Sequence, residues 1–150
     1  MEHKSSDNGM SLADFQALAE FRYQLRRFTR FSEQAARAVG LEPQQHQLLL
    51  TVKGLPEGKL ATVGTLAERL QIEHHSTVEL INRLAEKGLL ERHRDEADMR
   101  RVLVSLTPPG EALLQKLSVY HRAELRSTGS SLVRALEELI SDDSDTAQIP

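Results

Sequence analysis

The chain contains no cysteine. That excludes disulfides, cysteine-ligated zinc and peroxide sensing through a thiol. It has no apolar run near the ~18 residues that a membrane span needs. Its first ten residues, MEHKSSDNGM, are polar and lack the apolar core of a signal peptide, so a cytoplasmic protein is expected. No Gly-rich phosphate loop, metal-ligand cluster or nucleophile constellation is visible, which argues against an enzyme and against a bound cofactor. There is no internal repeat. What is present is a chain of 150 residues, 39% hydrophobic and 27% charged, an ordinary soluble composition large enough for one domain with its own core.

Residues 62–107 carry the most informative pattern. Thr62 stands before the first apolar-periodic residues, where its hydroxyl can cap a helix start. Val63, Leu66, Ala67 and Leu70 recur at helical spacing and give this helix one apolar face. Gln71-Ile72-Glu73 breaks the run. A second helix is expected from about His74 to Lys87, with Val78, Ile81, Leu84 and Ala85 on one face and Thr77 at its edge. At about 100° per residue, His75, Ser76, Glu79, Arg83 and Glu86 point the other way. Gly88 sits where a left-handed cap is wanted. A strand from Leu89 to Arg94, a turn at Asp95-Glu96-Ala97-Asp98, and a returning strand Val102–Leu106 then make a hairpin. Helix, turn, helix and hairpin predict a winged helix-turn-helix, whose second helix enters the DNA major groove.

The remaining segments read as helices, so the expected fold class is mainly α with a small β-hairpin wing. A long helix spans Ser11–Val39, capped at Ser11 and ended by Gly40. Its apolar stripe is Leu12, Phe15, Leu18, Phe21, Leu25, Phe28 and Phe31. All four Phe of the chain lie here, so the helix must pack heavily against other elements. Pro43 suits the first turn of a second helix, to Lys53. Thr107 and Pro108 start another, through Leu125. Ser127-Thr128-Gly129-Ser130 reads as a break before a last helix at Leu132–Ile140. The expected organisation is one domain over 1–150. Residues 43–107 form the winged helix-turn-helix, 11–39 and 108–141 a helical dimerisation region, and 1–10 and 142–150 are disordered. The apolar first and last helices exceed what one small winged domain can cover, which predicts a homodimer.

Charge runs against a simple DNA-binding reading, because the formal net charge is −3. Glu137, Glu138, Asp142, Asp143 and Asp145 contribute five of the negative charges; without them 19 basic residues face 17 acidic ones. Even so, residues 62–107 hold seven Arg and Lys against eight Asp and Glu. DNA binding therefore requires segregation, with Arg83, Lys87, Arg94, Arg100 and Arg101 on one face. The near-neutral module keeps a second class open, a winged-helix protein-interaction module without DNA binding.

The runs LAERL, RLAEKGLLER, Asp98-x-Arg100 and Leu106-Thr107-x-x-Gly110, in this order and spacing, resemble the MarR family of bacterial transcription regulators. The resemblance implies a homodimer with a winged helix-turn-helix in each subunit. It also implies pseudo-palindromic double-stranded promoter DNA as partner, and a repressor relieved by a small aromatic, phenolic or anionic effector. Part of that family senses oxidants through cysteine, a route closed to this chain. The sign of regulation, the promoter and the effector are left open.

The candidate base readers are His75, Ser76 and Glu79, at the N-terminal end of the outward face, with Arg83 on phosphate or a guanine edge. In the wing, the family pattern carries to Arg100 as the minor-groove residue. Asp98 becomes its orienting partner, shared with Arg94, and Arg101 stands beside them. His75 and Glu79 are spaced to share a metal, but no third ligand is evident, so no metal site is expected. Phe28, Phe31 and His46 are the weaker candidates for an effector site. Their bland alternatives are core or dimer interface for each Phe and a satisfied surface or core residue for His46.

Overall fold

The order of elements follows from where the chain can cap, turn and bury itself. The computed structural model describes residues 9–141. Of the segments expected to be disordered, 1–8 and 142–150 lie outside the described residues, as do the tail acids Asp142, Asp143 and Asp145; Gly9 and Met10 are exposed. The helices and strands are α1 (Leu12–Ala38), α2 (Pro43–Lys53), α3 (Val63–Leu70), α4 (His74–Glu86), β1 (Leu90–Arg94), β2 (Val102–Leu106) and α5 (Pro108–Ile140). By internal contacts the chain divides into two compact units. Among the described residues one is 9–31 together with 122–141; the other is Ser32–His121.

The Ser32–His121 unit holds α2, α3, α4, the hairpin and the adjoining ends of α1 and α5. Its core includes Ala36, Leu48, Leu49, Leu66, Ile81, Leu84, Leu90, Val104, Leu114 and Leu117. Each fully buried Leu or Ile contributes roughly 1.5–3 kcal/mol, so this core outweighs any surface contact of the unit. Pro43 occupies the first turn of α2, and Glu42 and Gln45 form a reciprocal cap there. β1 and β2 pair antiparallel, with Leu90 opposite Leu106 and Arg94 opposite Val102. The main chain of Ala61 accepts a further bond from Val104 at 3.0 Å, so the segment entering α3 anchors the wing.

The junction after the wing depends on one close approach. Thr107 Oγ1 donates to the Gly88 carbonyl at 2.6 Å and accepts from the Gly110 main-chain N–H at 3.2 Å. Gly110 is buried, and a Cβ there would overlap the Leu89 carbonyl. The Leu106-Thr107-x-x-Gly110 run is therefore a packing motif that locks the first turn of α5 onto the end of α4.

The other unit consists of the N-terminal part of α1 and the C-terminal part of α5. Ser11 caps α1 reciprocally: its hydroxyl accepts from Asp14 N–H at 3.1 Å, and Asp14 Oδ2 accepts from Ser11 N–H at 2.9 Å. Ala17 and Ala135 are buried. Leu12, Phe15 and Leu18 on α1 and Val133, Leu136 and Ile140 on α5 are exposed. The expectation that the whole Phe stripe packs heavily is thus not met within one chain.

The expected break at 127–130 is absent, and α5 runs unbroken for 33 residues. Thr128 Oγ1 returns to the Glu124 carbonyl at 3.0 Å, so its hydroxyl is satisfied inside the helix. A single interior glycine costs a helix only about 1 kcal/mol.

Candidate nucleic-acid interface

The helix-turn-helix is built by local caps. Thr62 accepts from Thr65 N–H at 3.2 Å and starts α3 as expected. Gln71 ends it in the left-handed region, at φ 56°. Gln and not Gly holds this conformation because its side-chain amide donates to the Glu68 carbonyl at 2.7 Å. α4 then starts at His74, and Thr77 Oγ1 donates to the Glu73 carbonyl at 3.0 Å. Thr77 is fully buried, not at the edge of the apolar face, and shares the inner side of α4 with Ile81 and Leu84. The turn α4–β1 closes on Gly88, at φ +73°, where an L side chain would be strained.

With Thr77, Ile81 and Leu84 inside, His75, Glu79 and Arg83 fall four residues apart on the outer face, and all three are exposed; Ser76 is half-buried beside them. The outer face of α4 thus presents an imidazole, a carboxylate, a guanidinium and one partly covered hydroxyl. Asn82 Oδ1 accepts from Arg92 Nη1, so β1 is braced directly against α4.

The wing tip is a set of arginines held by two aspartates. Asp98 Oδ1 accepts from the Arg100 main-chain N–H at 3.1 Å and from Arg100 Nε at 3.2 Å. These bonds, main chain first, hold the Asp98 carboxyl below the usual carboxylate range, and the charge of Arg101 adds to them. The Arg100 side chain remains 91% exposed while so held. Arg101 Nη2 pairs with Asp95 Oδ2 at 2.8 Å, and its Nε lies 4.0 Å from Asp98 Oδ2. Asp95 also accepts from Ala97 N–H at 3.0 Å, an Asx turn at the hairpin tip.

One expectation is revised here. Asp98 is shared with Arg101 and not with Arg94, whose Nη1 instead donates to the Met99 carbonyl at 3.3 Å. Lys87 is exposed and charged, and its Nζ donates to the Gly40 carbonyl at 2.7 Å. The roles of Asp95, Arg92 and Asn82 are missed by sequence reasoning. The Asp95-x-Ala97 spacing carries a readable turn signal, whereas the Arg92–Asn82 brace joins two elements and has none.

The effector candidates fall in different units. Phe28 and Phe31 are half-buried and belong to one compact unit; His46 is buried in the other. The His46 ring lies 4.9 Å from that of His121. Burial first, and then the neighbouring His121, push His46 down to about 4, so it is neutral at physiological pH. His121 Nδ1 meets the Leu117 carbonyl at 2.7 Å and Nε2 meets Ser32 Oγ at 2.8 Å, linking α5 to α1. Among the described residues no group of three or more His, Cys, Asp or Glu is placed to hold a metal.

A buried-face α4 with an exposed polar row, joined to an arginine-tipped hairpin, defines a winged helix-turn-helix protein. A sequence model of the MarR family matches residues 39–101, the stretch from the end of α1 to the wing tip. The organic hydroperoxide resistance transcriptional regulator of Bacillus subtilis (strain 168) is 33% identical over 107 residues, covering 65% of this chain and 70% of that protein. AbsC, a MarR family transcriptional regulator from Streptomyces coelicolor, superposes with a TM-score of 0.70 at 20% identity, covering 87% of this chain and 91% of that chain. A mutant MarR from E. coli, complexed with operator DNA, superposes with a TM-score of 0.61 at 18% identity, covering 87% of this chain and 99% of that chain. The chain belongs to the MarR family, a family of transcription regulators and not of enzymes.

Proposed function

We propose that the protein is a sequence-specific repressor that binds pseudo-palindromic promoter DNA as a homodimer in the cytoplasm. The observation that carries this reading is the wing tip. Two aspartates hold Arg100 and Arg101, yet Arg100 stays exposed. Acids that occupy their own arginines orient cations without repelling phosphate from a distance. The exposed row His75, Glu79 and Arg83, with Ser76, supplies the complementary major-groove surface. In this reading Arg83, Arg94 and Arg101 serve phosphates, and Arg100 borders the minor groove.

A second copy of the chain is the occupant that suits the exposed Leu12, Phe15, Leu18, Val133, Leu136 and Ile140. Two-fold pairing would set two α4 helices on half-sites about one helical turn apart. No helix among the described residues is long and apolar enough to cross a membrane. Relief by a small aromatic or anionic effector completes the reading and rests on the family. If His46 borders that effector, its neutral ring contributes shape and a hydrogen bond, not charge.

The test is enrichment of a randomised duplex library by the full chain, followed by titration at several salt concentrations and sedimentation of the free protein. The reading predicts an enriched inverted repeat, affinity that falls steeply with salt, and a dimer at micromolar concentration. A folded monomer that enriches nothing would support the protein-interaction alternative.

A further inference from the structure

We propose that Met99 is a specificity-determining residue, an apolar contact that the wing presses onto A·T-rich steps of the DNA minor groove. The inference rests on the DNA-binding reading above and adds a second readout to it, separate from α4.

Met99 lies in the turn between β1 and β2 and is 63% exposed. Its main-chain carbonyl accepts from Arg94 Nη1. On either side the turn is closed by main-chain bonds, from Asp98 N–H to the Asp95 carbonyl at 3.2 Å and from Arg101 N–H to the Asp98 carbonyl at 2.9 Å. The backbone beneath Met99 is therefore fixed, while its side chain takes no part in fixing it.

The surroundings match one kind of surface. Arg94, Arg100 and Arg101 are exposed in or beside the same turn; Asp98 and Asp95 hold Arg100 and Arg101, and Glu96 is a third, exposed acid of the turn. A minor groove has the inverse pattern, with phosphate walls on both sides of a floor of base edges and sugars. The guanine amino group protrudes into that floor and A·T pairs leave it clear, so an apolar tip favours A·T pairs. Apolar side chains such as Met and Leu wedge most easily at pyrimidine–purine steps, which unstack at low cost.

The experiment uses the full chain, Met99→Leu and Met99→Gln, each enriched on a randomised duplex library. Each is then titrated against its core half-sites flanked by TpA or by GpC at the positions facing the wing. The parent and Met99→Leu should prefer the TpA flank by about tenfold, the scale of one mismatched base pair. Met99→Gln should enrich the same core and unfold at the same temperature, but keep less than about a twofold flank preference. If Met99→Gln keeps the parental preference, the arginines alone read the flank and the inference fails while DNA binding stands. If the parent enriches no sequence, the DNA-binding reading fails first and takes the inference with it.

Discussion

Asp98 and Arg100 are joined twice through a single oxygen: Asp98 Oδ1 accepts both the main-chain N–H and the Nε–H of Arg100. A side chain held at its base and at its guanidinium has fewer conformations to lose when it docks. Asp98→Ala should weaken DNA binding by a few-fold at most, because it frees Arg100 without removing it. Fluorescence anisotropy of a labelled site checks this, and an unchanged affinity would mean that the clamp is idle. Since Arg100 lowers the Asp98 carboxyl, the clamp stays charged through mildly acid pH.

Glu79 sits on the outer row of α4, exposed between His75 and Arg83. A carboxylate that holds no arginine repels phosphate, and at a base edge it can accept from a cytosine amino group. Glu79→Ala should therefore relax sequence preference more than it lowers affinity, as read by competition among enriched sites. A uniform loss over all sequences would assign the residue a structural role instead.

Gly110 sits against the Leu89 carbonyl with no room for a Cβ. Gly110→Ala should destabilise the fold by roughly 1–3 kcal/mol, through displacement of α5 from the end of α4. Denaturant unfolding measures this, and a loss under about 0.5 kcal/mol would show that the junction yields.

His46 is 2% exposed and its pKa falls from 6.5 to about 4 on folding. Between those values the folded state binds fewer protons than the unfolded state, so stability falls as pH falls. The loss begins near 6.5, ends near 4, and totals up to roughly 3 kcal/mol. His46→Phe removes the titration, so its pH–stability curve should fall less than the parent's between about 6.5 and 4, leaving the contribution of carboxylates. Parallel curves for parent and variant would exclude His46 as the cause.

Much of this fold was legible in the sequence because its signals are local. Pro43 and Gly54 bound α2, Thr62 caps α3, and Gly88 closes α4, each acting within a few residues of its own position. The failures have the opposite origin. A Ser-Thr-Gly-Ser run looks like a turn until the Thr128 hydroxyl is seen returning to its own helix. The bond from Lys87 to the Gly40 carbonyl, 47 residues away, likewise has no sequence signal. Of the interface, Asp98-x-Arg100 was readable through the family resemblance, while the pairing of Arg101 with Asp95 and the brace from Arg92 to Asn82 depend on the hairpin and its packing. The exposed apolar residues near the two chain ends show the same limit, since in the proposed dimer their cover comes from a second copy.

The role of the wing is decided by a titration of Arg100→Ala against the enriched duplex at physiological salt, with the parent alongside. Arg100 is 91% exposed and supports no core, so the variant should unfold like the parent. Its affinity should drop about tenfold or more for each wing that docks. Its log–log salt slope should flatten by about one for each phosphate that Arg100 no longer neutralises. An Arg100→Ala protein that binds with parental affinity and parental salt dependence would contradict the assignment of the wing to DNA.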